Sequence, residues 1–449
     1  MNDDANLLKN LDEGINTGVV DAVMGSGKTT AIINYINKTK RPIIILVERQ
    51  SEVDRISKSC QELISLSDVS NDTGITRTQA LEEVTETGLS VVSTHQLMKR
   101  WTNKFLLSVE HFGYELIIDE TLSGVLSPVK VSASDLRQFL DNGQIERKAG
   151  SKLNKVTIGK SLPSKYESLE ATIQNKDCYL YDLYQVKEDR EKYCLIEAPR
   201  ADLFEVFKKI TVLTYLFDGS LLRSYFDLHS IGYEKFSVVD SAIVEHIPRD
   251  GSAFKDKVII YDGKLNHFHA TRRRSNFNLS SSWCEKPENQ KKSARALRNL
   301  VTHWKASGCI FESFAYTIPK DYQEKIHSSH TGSTKLNRRY HDSTIRTSMS
   351  DLEKKSVTFI PQTIRGTNEF SHKRFMAYLP NTFMNPLIEG FLKEHELVAD
   401  EETFALSQMV QWLWRGCIRN DEVMHVFIPS RRMRMLFMTW LGYSNEELF

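Results

Sequence analysis

One short segment constrains this chain more than any other. It is Ala22-Val-Met-Gly-Ser-Gly27-Lys28-Thr29, set between a mostly apolar, strand-like run, Gly18–Met24, and a helix-like stretch, Ala31–Asn37. Gly25 and Gly27 permit backbone angles that a side chain would block. Successive N–H groups can then curl around phosphate oxygens at the positive end of the following helix dipole. The spacing is that of a P-loop with Ala22 in place of the first glycine. On this reading Gly25, Ser26, Gly27, Lys28, Thr29 and Thr30 form a nucleotide cradle. Lys28 reaches the β- and γ-phosphates and Thr29 offers its hydroxyl to Mg²⁺. A glycine turn ahead of a helix is the reading that needs no ligand.

A second apolar run, Tyr114–Ile118, ends in the carboxylates Asp119 and Glu120. In an open parallel sheet the carboxyl ends of the strands face the bound ligand. Asp119 is therefore expected to hold Mg²⁺ through water, and Glu120 to orient and deprotonate the attacking water. A strand capped by two solvated acids is the alternative. A base beside the metal ligand favours hydrolysis over transfer to a second substrate, so the expected cofactors are ATP and Mg²⁺.

The rest of the chain is read as carrier for these two elements. Its 449 residues suggest two or three domains. Lys+Arg 59 against Asp+Glu 58 leaves a net charge of +1. That balance excludes a basic coat, so any nucleic-acid contact comes from local patches. No apolar run approaches the ~20 residues of a membrane helix, and the acidic start Met1–Asp4 is no secretory signal. No membrane partner is expected, and the location is the cytoplasm. Six cysteines without a C-x-x-C pair argue against structural zinc or a disulfide framework.

Strand-like runs at Arg41–Val47, Leu89–Ser93 and Ile210–Leu216 alternate with helical stretches, which implies a parallel α/β sheet. Residues 125–200 are polar and read as an insertion. An interdomain connection is placed at about 240–290. Further strands are expected at Cys309–Phe314, Ser356–Ile360, Phe375–Leu379 and Val423–Ile428. Helices are expected at Thr403–Arg419 and Ser430–Leu441.

These segments together resemble superfamily 2 helicases, the DEAD/DEAH-like enzymes, and look closest to the helicase-like proteins encoded by bacteriophages. The glycine loop and Asp119-Glu120 resemble motifs I and II, the pair continuing here as Thr121-Leu122. Val47–Arg55 stands in the place of motif Ia, Ser93-Thr94-His95 in that of Ib, and Thr211–Tyr215, with Thr214, in that of III. Arg365–Glu369 resembles the motif V region and Gln411–Arg419 motif VI, with Trp414 where the family has glycine. The resemblance implies two RecA-like domains, 1–240 with the insertion at about 125–200, and 241–449. It implies nucleic-acid contacts from Arg49, Thr94, His95, Thr367 and Asn368. It also gives catalytic roles to Gln411, Arg415 and Arg419, with Arg415 at the γ-phosphate and Arg419 as partner, or the reverse. The two arginines, four residues apart, are expected on one helical face. A surface helix with Trp412 and Trp414 packed inside is the alternative for this segment.

Clusters Arg272–Arg274, Arg338-Arg339 and Arg431–Arg434 suit strand phosphates, or are solvated surface. His267 and His269 lack a cysteine or acid at ligand spacing and are read as surface or packing residues. The expected function is an ATP-dependent helicase or translocase on single-stranded or forked DNA, with RNA as an alternative strand and other replication proteins as partners. A DNA-packaging terminase motor and a nucleotide-switched DNA-binding scaffold compete with it. The C-terminal half lacks a cluster of strand-end aspartates for a terminase nuclease.

Overall fold

The computed structural model describes residues 16–60, 62–122, 124–183, 192–248, 250–270, 277–319, 358–362, 368–444 and 446. Arg272–Arg274, Arg338-Arg339 and Arg365–Thr367 lie outside the described residues. The chain divides into two units, one of Met1–Ile247 with Met384–Asp400 and one of Pro248–Phe383 with Glu401–Phe449.

The first unit begins with β1 (Thr17–Asp21), β2 (Ile43–Val47), β3 (Leu63–Ser65), β4 (Ser90–Thr94) and β5 (Glu115–Asp119). β2 reads Ile-Ile-Ile-Leu-Val and is buried throughout. A strand covered by helices on both faces has no reason to alternate apolar with polar residues, so it reads as a continuous run. The helix Gln50–Ser59 turns Val53 and Ile56 onto the sheet. At the amino end of β5 the buried Glu115 accepts a hydrogen bond from Tyr35 Oη at 2.5 Å and pairs with Arg41 at 3.2 Å.

The polar stretch after β5 folds around a core of its own. It contains β6 (Ser127–Pro128), β7 (Ile145–Arg147), β8 (Val156–Ile158), β9 (Asp177–Leu183) and β10 (Lys192–Ala198). β6, β10 and β9 form an antiparallel sheet in that order, and β7 with β8 is a hairpin. Leu136, Phe139, Ile145, Leu169, Ile173 and Leu195 belong to its apolar centre. A buried polar network ties it down. Asp177 pairs with Lys155 and accepts from the Ala201 N–H at 3.2 Å, and Tyr179 Oη lies 3.1 Å from His229 Nε2.

The chain then returns to the first sheet with β11 (Lys209–Thr214), β12 (Glu234–Val239) and β13 (Ala242–Glu245). The strand order is β13-β12-β1-β11-β5-β2-β4-β3, parallel except for the β12–β13 hairpin. β13 lies beyond residue 240 yet completes this sheet. Residues 384–400 also group with this unit: Phe391 stacks on Tyr179 with ring centres 5.7 Å apart. The sequence reading placed both segments in the second domain; their packing assigns them to the first.

The second unit has β14 (Val258–Ile260), β15 (Phe314–Thr317), β16 (Thr358–Phe359), β17 (Phe375–Tyr378) and β18 (Met424–Phe427). They form a parallel sheet ordered β14-β18-β17-β15-β16. The expected strand at Cys309–Phe314 is displaced: a 3₁₀ turn occupies Phe311–Ser313 and the strand starts at Phe314. The expected helix Thr403–Arg419 is broken. It runs from Glu401 to Leu413, and a separate 3₁₀ turn spans Cys417–Asn420. Gly416 sits at the break, where an added Cβ would lie 2.8 Å from the Lys373 carbonyl oxygen. The Cys417 N–H donates to that same oxygen at 2.9 Å. No helix among the described residues is long and apolar enough to cross a membrane.

Burial separates two chemically similar truncations in the first unit. Ile45→Ala, at a side chain 0 % exposed, is expected to cost about 2–5 kcal/mol. Leu107→Ala, 67 % exposed, is expected to change stability by about 0.5 kcal/mol or less. Urea unfolding of both variants checks this, and equal losses would contradict the sheet placement.

Candidate nucleotide-binding and catalytic site

Three neighbouring parallel strands build the site. β11 lies between β1 and β5, in a register that sets Asp21 opposite Thr214 and Leu213 opposite Asp119. The strand leading into the glycine loop and the strand ending in the acidic pair therefore finish one strand apart. The Ala22 N–H donates to the Thr214 carbonyl at 3.0 Å, and the Glu120 N–H donates to that of Leu213 at 2.8 Å. The Asp21 carboxylate accepts the N–H groups of Leu216 at 2.8 Å and Phe217 at 3.0 Å. Asp21 thus clamps the exit of β11 to the start of the loop. The sequence reading did not single it out, although a carboxylate ending an apolar strand just before a glycine loop was its signal.

The loop has the backbone its glycines allow. Gly25 and Gly27 take φ of 84° and 89°, values that cost a side-chain-bearing residue strain. An added Cβ on Gly27 would also lie 2.8 Å from Ser241 Oγ, in the β12–β13 turn. The helix Lys28–Ile36 starts at once, the Ala31 N–H donating to the Gly27 carbonyl at 2.9 Å. Lys28 Nζ donates back to the carbonyls of Ala22 and, at 3.1 Å, Val23. Ser26 and Thr29 are half-buried and Thr30 is exposed. The buried hydroxyls of Ser26 and Thr214 have no hydrogen-bond partner among the described residues.

Asp119 is the electrostatic centre. Burial pushes its carboxyl up to about 7, the neighbouring charges of Glu120 and Glu52 push the same way, and Lys28 and His95 oppose them. Those influences bring Lys28, Asp119, Glu120 and His95 into one field. Glu120 holds φ at 69°, a left-handed conformation that costs a non-glycine residue on the order of 1–3 kcal/mol and persists only where the surroundings enforce it. At the adjacent ends of β2 and β4, Glu48 Oε2 lies 3.2 Å from His95 Nδ1. Arg49 begins the helix Gln50–Ser59, and Thr94 is the last residue of β4. The Ia-like and Ib-like segments therefore meet next to the acidic pair.

The second unit places its sequence-derived residues differently from expectation. Gln411 is 5 % and Arg415 1 % exposed. Trp412 donates to the Ile360 carbonyl at 3.1 Å, and the Trp414 ring meets Trp440 at 5.2 Å. Arg415 follows the end of the helix, while Arg419 lies in the 3₁₀ turn. The two arginines do not share a helical face, because Gly416 packed against Lys373 ends the helical path between them. Arg419 is half-buried and donates to the Asn368 side-chain carbonyl. Asn368 and Arg419 are thus brought together. Thr367 lies outside the described residues.

The residues of the first unit fit ATP with Mg²⁺. A left-handed glycine loop backed by a helix N-terminus is a phosphate cradle. A carboxyl held protonated up to about neutral pH by burial is one that a divalent cation returns to its charged form. The uncommitted hydroxyls of Ser26 and Thr214 supply further polar groups.

Fold and site together define a class: a two-unit α/β chain whose first sheet carries a glycine loop ahead of a helix and a nearby strand that ends in two acidic residues. A solved XPD helicase matches with a TM-score of 0.50 and 11% identity, covering 98% of this chain and 96% of that one. A family model described as the YonV C-terminal Rossmann-like domain matches residues 252–441. The SPbeta prophage-derived uncharacterized protein YonV of Bacillus subtilis (strain 168) is 30% identical over 444 residues, 94% of this chain and 98% of that protein. The chain belongs to the YonV family.

The desolvated carboxyl of the half-buried Asp119 gives a pH signature in metal-free protein. A folded-state value of about 7 against the usual 3.8 means that the folded state keeps this proton longer than the unfolded state. The stability from this group is therefore present at low pH and lost as pH rises from about 4 to 7. Asp119→Asn, with chelator present, is expected to raise the melting temperature on the order of 5 °C at pH 8 and to change it little at pH 4. Equal shifts at both pH values in a calorimetric scan would contradict the buried carboxylate.

Proposed function

We propose that this chain is an ATP-dependent nucleic-acid helicase or translocase acting in phage or mobile-element replication or recombination. One observation carries the reading. The β1–β11–β5 register sets the glycine loop with Lys28 beside an acidic pair, Asp119 and a backbone-strained Glu120, at the carboxyl end of one sheet. The match to an XPD helicase fold and the prophage-derived relative support it. The strand is single-stranded or forked DNA, with RNA the alternative. Other replication proteins are the expected partners, and the site of action is the host cytoplasm.

In this reading the N–H groups of Gly25–Thr30 and the Lys28 ammonium bind the phosphates, Lys28 leaving its own loop carbonyls to do so. Thr29 and Asp119 hold Mg²⁺, which when bound supplies charge neutralisation on the phosphate oxygens. Glu120 takes the proton of the attacking water. Of the two motif VI-like arginines, Arg419 is assigned the role of catalytic cation. The sequence reading favoured Arg415, but a guanidinium 1 % exposed is held inside its unit, whereas the half-buried Arg419 stands in a surface turn. Arg49, Thr94, His95, Thr367 and Asn368 remain the residues assigned to the strand, with Gln411 and Arg415 supporting the motif VI segment from within.

Steady-state ATP hydrolysis with and without single-stranded DNA, together with displacement of a labelled strand, tests this. Lys28→Ala is expected to abolish ATP binding or turnover. Glu120→Gln is expected to keep ATP bound and to slow turnover about 10²–10⁴-fold. Arg419→Ala is expected to slow turnover by about 10³-fold or more with little loss of ATP binding. Parental rates in the Lys28 and Glu120 variants would remove the hydrolase reading, and a normal rate in Arg419→Ala would return the cation role to Arg415. Tight ATP binding without strand-stimulated turnover in the parental chain would leave a nucleotide-switched scaffold.

A further inference from the structure

The helix Pro287–Trp304 lies between β14 and β15 of the second unit and has two unlike faces. Its inner face is fixed by packing. Ala294, Leu297, Leu300, Val301 and Trp304 share one apolar cluster with Phe314 of β15, Phe375 of β17 and Phe427 of β18. Two polar side chains set its rotation: Asn289 donates to the Trp283 carbonyl at 2.9 Å and Gln290 to that of Cys284 at 3.2 Å. A helix held on that side keeps its other face turned outward.

The outer face is basic. Lys291, Lys292, Arg295 and Arg298 are all exposed. Lys291, Arg295 and Arg298 follow one another at spacings that align side chains along one helical face, and Lys292 neighbours Arg295. At 1.5 Å of rise per residue the row is about 10 Å long. Glu288 is the one acid in the helix, and none of these cations has an ion-pair partner among the described residues. Like charges at this spacing repel and weaken a helix, so the row opposes the fold that carries it. Lys+Arg 59 against Asp+Glu 58 over the whole chain makes it a local concentration of charge, not part of a general basic surface.

What stands beside the cations narrows the partner. The Leu, Val, Ala and Trp residues of the helix are all buried. The face therefore offers no hydrophobic row to a lipid surface and no Phe, Tyr or Trp ring to an unpaired base. A duplex turns its bases inward and its phosphates outward, and cations alone meet it. We infer that the outer face of Pro287–Trp304 docks the phosphate backbone of double-stranded nucleic acid, without regard to sequence. Lysine ammonium and arginine guanidinium groups bond the phosphate oxygens, and counterions leave the backbone as they do so. The inference goes beyond the proposed function: it adds a duplex-holding surface in the second unit to the strand contacts assigned above, and it does not depend on ATP hydrolysis.

The test is fluorescence anisotropy of the full chain with a labelled blunt duplex, and with a single strand of the same length, over a salt series. The parental chain is expected to bind the duplex with an affinity that falls as salt rises. Arg295→Glu combined with Arg298→Glu is expected to weaken duplex binding about tenfold or more at low salt. Lys291→Ala combined with Lys292→Ala is expected to lower the slope of log affinity against log salt by about 2. Single-strand binding and unstimulated ATP turnover are expected to stay at parental values, because these positions lie outside the residues assigned to either. The positions are exposed, so melting temperatures are expected to hold, and the alanine pair decides if the glutamate pair melts early. No duplex binding by the parental chain, or duplex binding unchanged in both pairs, would overturn the surface and leave a solvated helix face. An equal loss of single-strand binding would overturn the duplex assignment. Tighter binding of polyglutamate than of duplex at matched charge would overturn it in favour of an acidic protein partner. Absence of strand-stimulated ATP hydrolysis in the parental chain counts against the helicase reading alone, and the duplex measurement still decides the surface.

Discussion

The arrangement rests on the parallel pairing of β1, β11 and β5. Neighbouring strands in a sheet lie about 4.8 Å apart. Once Asp21 is paired with Thr214 and Leu213 with Asp119, the glycine loop and the acidic pair have no freedom to separate. The backbone bonds from Ala22 to Thr214 and from Glu120 to Leu213 continue that pairing past the strand ends. Asp21 adds a side-chain clamp on the chain leaving β11. The core beneath, with Ile43, Ile45, Val47, Ile117 and Leu213 in one apolar cluster, makes a shift in register expensive. A parallel strand slipped by one residue would turn its buried side chains to the other face.

The same packing stores electrostatic tension where the chemistry is assigned. Asp119 is held among Glu120 and Glu52 with Lys28 and His95 in opposition, and burial is the largest influence. Glu120 is kept in a left-handed backbone conformation. Neither feature benefits the fold. Both lie where the proposed function assigns a polyanion and a divalent cation. Lys28 meanwhile donates to the loop's own carbonyls.

The insertion between β5 and β11 is more than a spacer. It has its own core, it is fixed through Asp177, Tyr179 and His229, and its last residues help to wall a cavity beside the turn after β4. It also receives the helix Pro386–Glu394, where Gly390 lets the Tyr181 hydroxyl approach to a place a Cβ would occupy. The polar composition that marked this region as an insertion is the surface of a small antiparallel fold.

Local signals fixed a great deal. The glycines that permit positive φ, the isoleucine run of β2 and the carboxylates ending β5 announced a parallel α/β sheet with a phosphate loop, because each depends on backbone geometry or burial that neighbouring residues encode. The XPD-like fold agrees with the parallel α/β sheet. Other features needed the folded chain. Asp21 gains its role from Leu216 and Phe217, nearly two hundred residues away. The helix from Glu401 stops at Leu413 because Gly416 meets the Lys373 carbonyl, a contact invisible in a run of helix-forming residues, and that stop buries Arg415 and leaves Arg419 in a turn. The assignment of Met384–Asp400 to the first unit likewise follows from aromatic packing against Tyr179 and Tyr181. Sequence determines what a segment can become from its own periodicity and backbone freedom; which distant partner completes it is decided only when burial and pairing are satisfied across the whole fold.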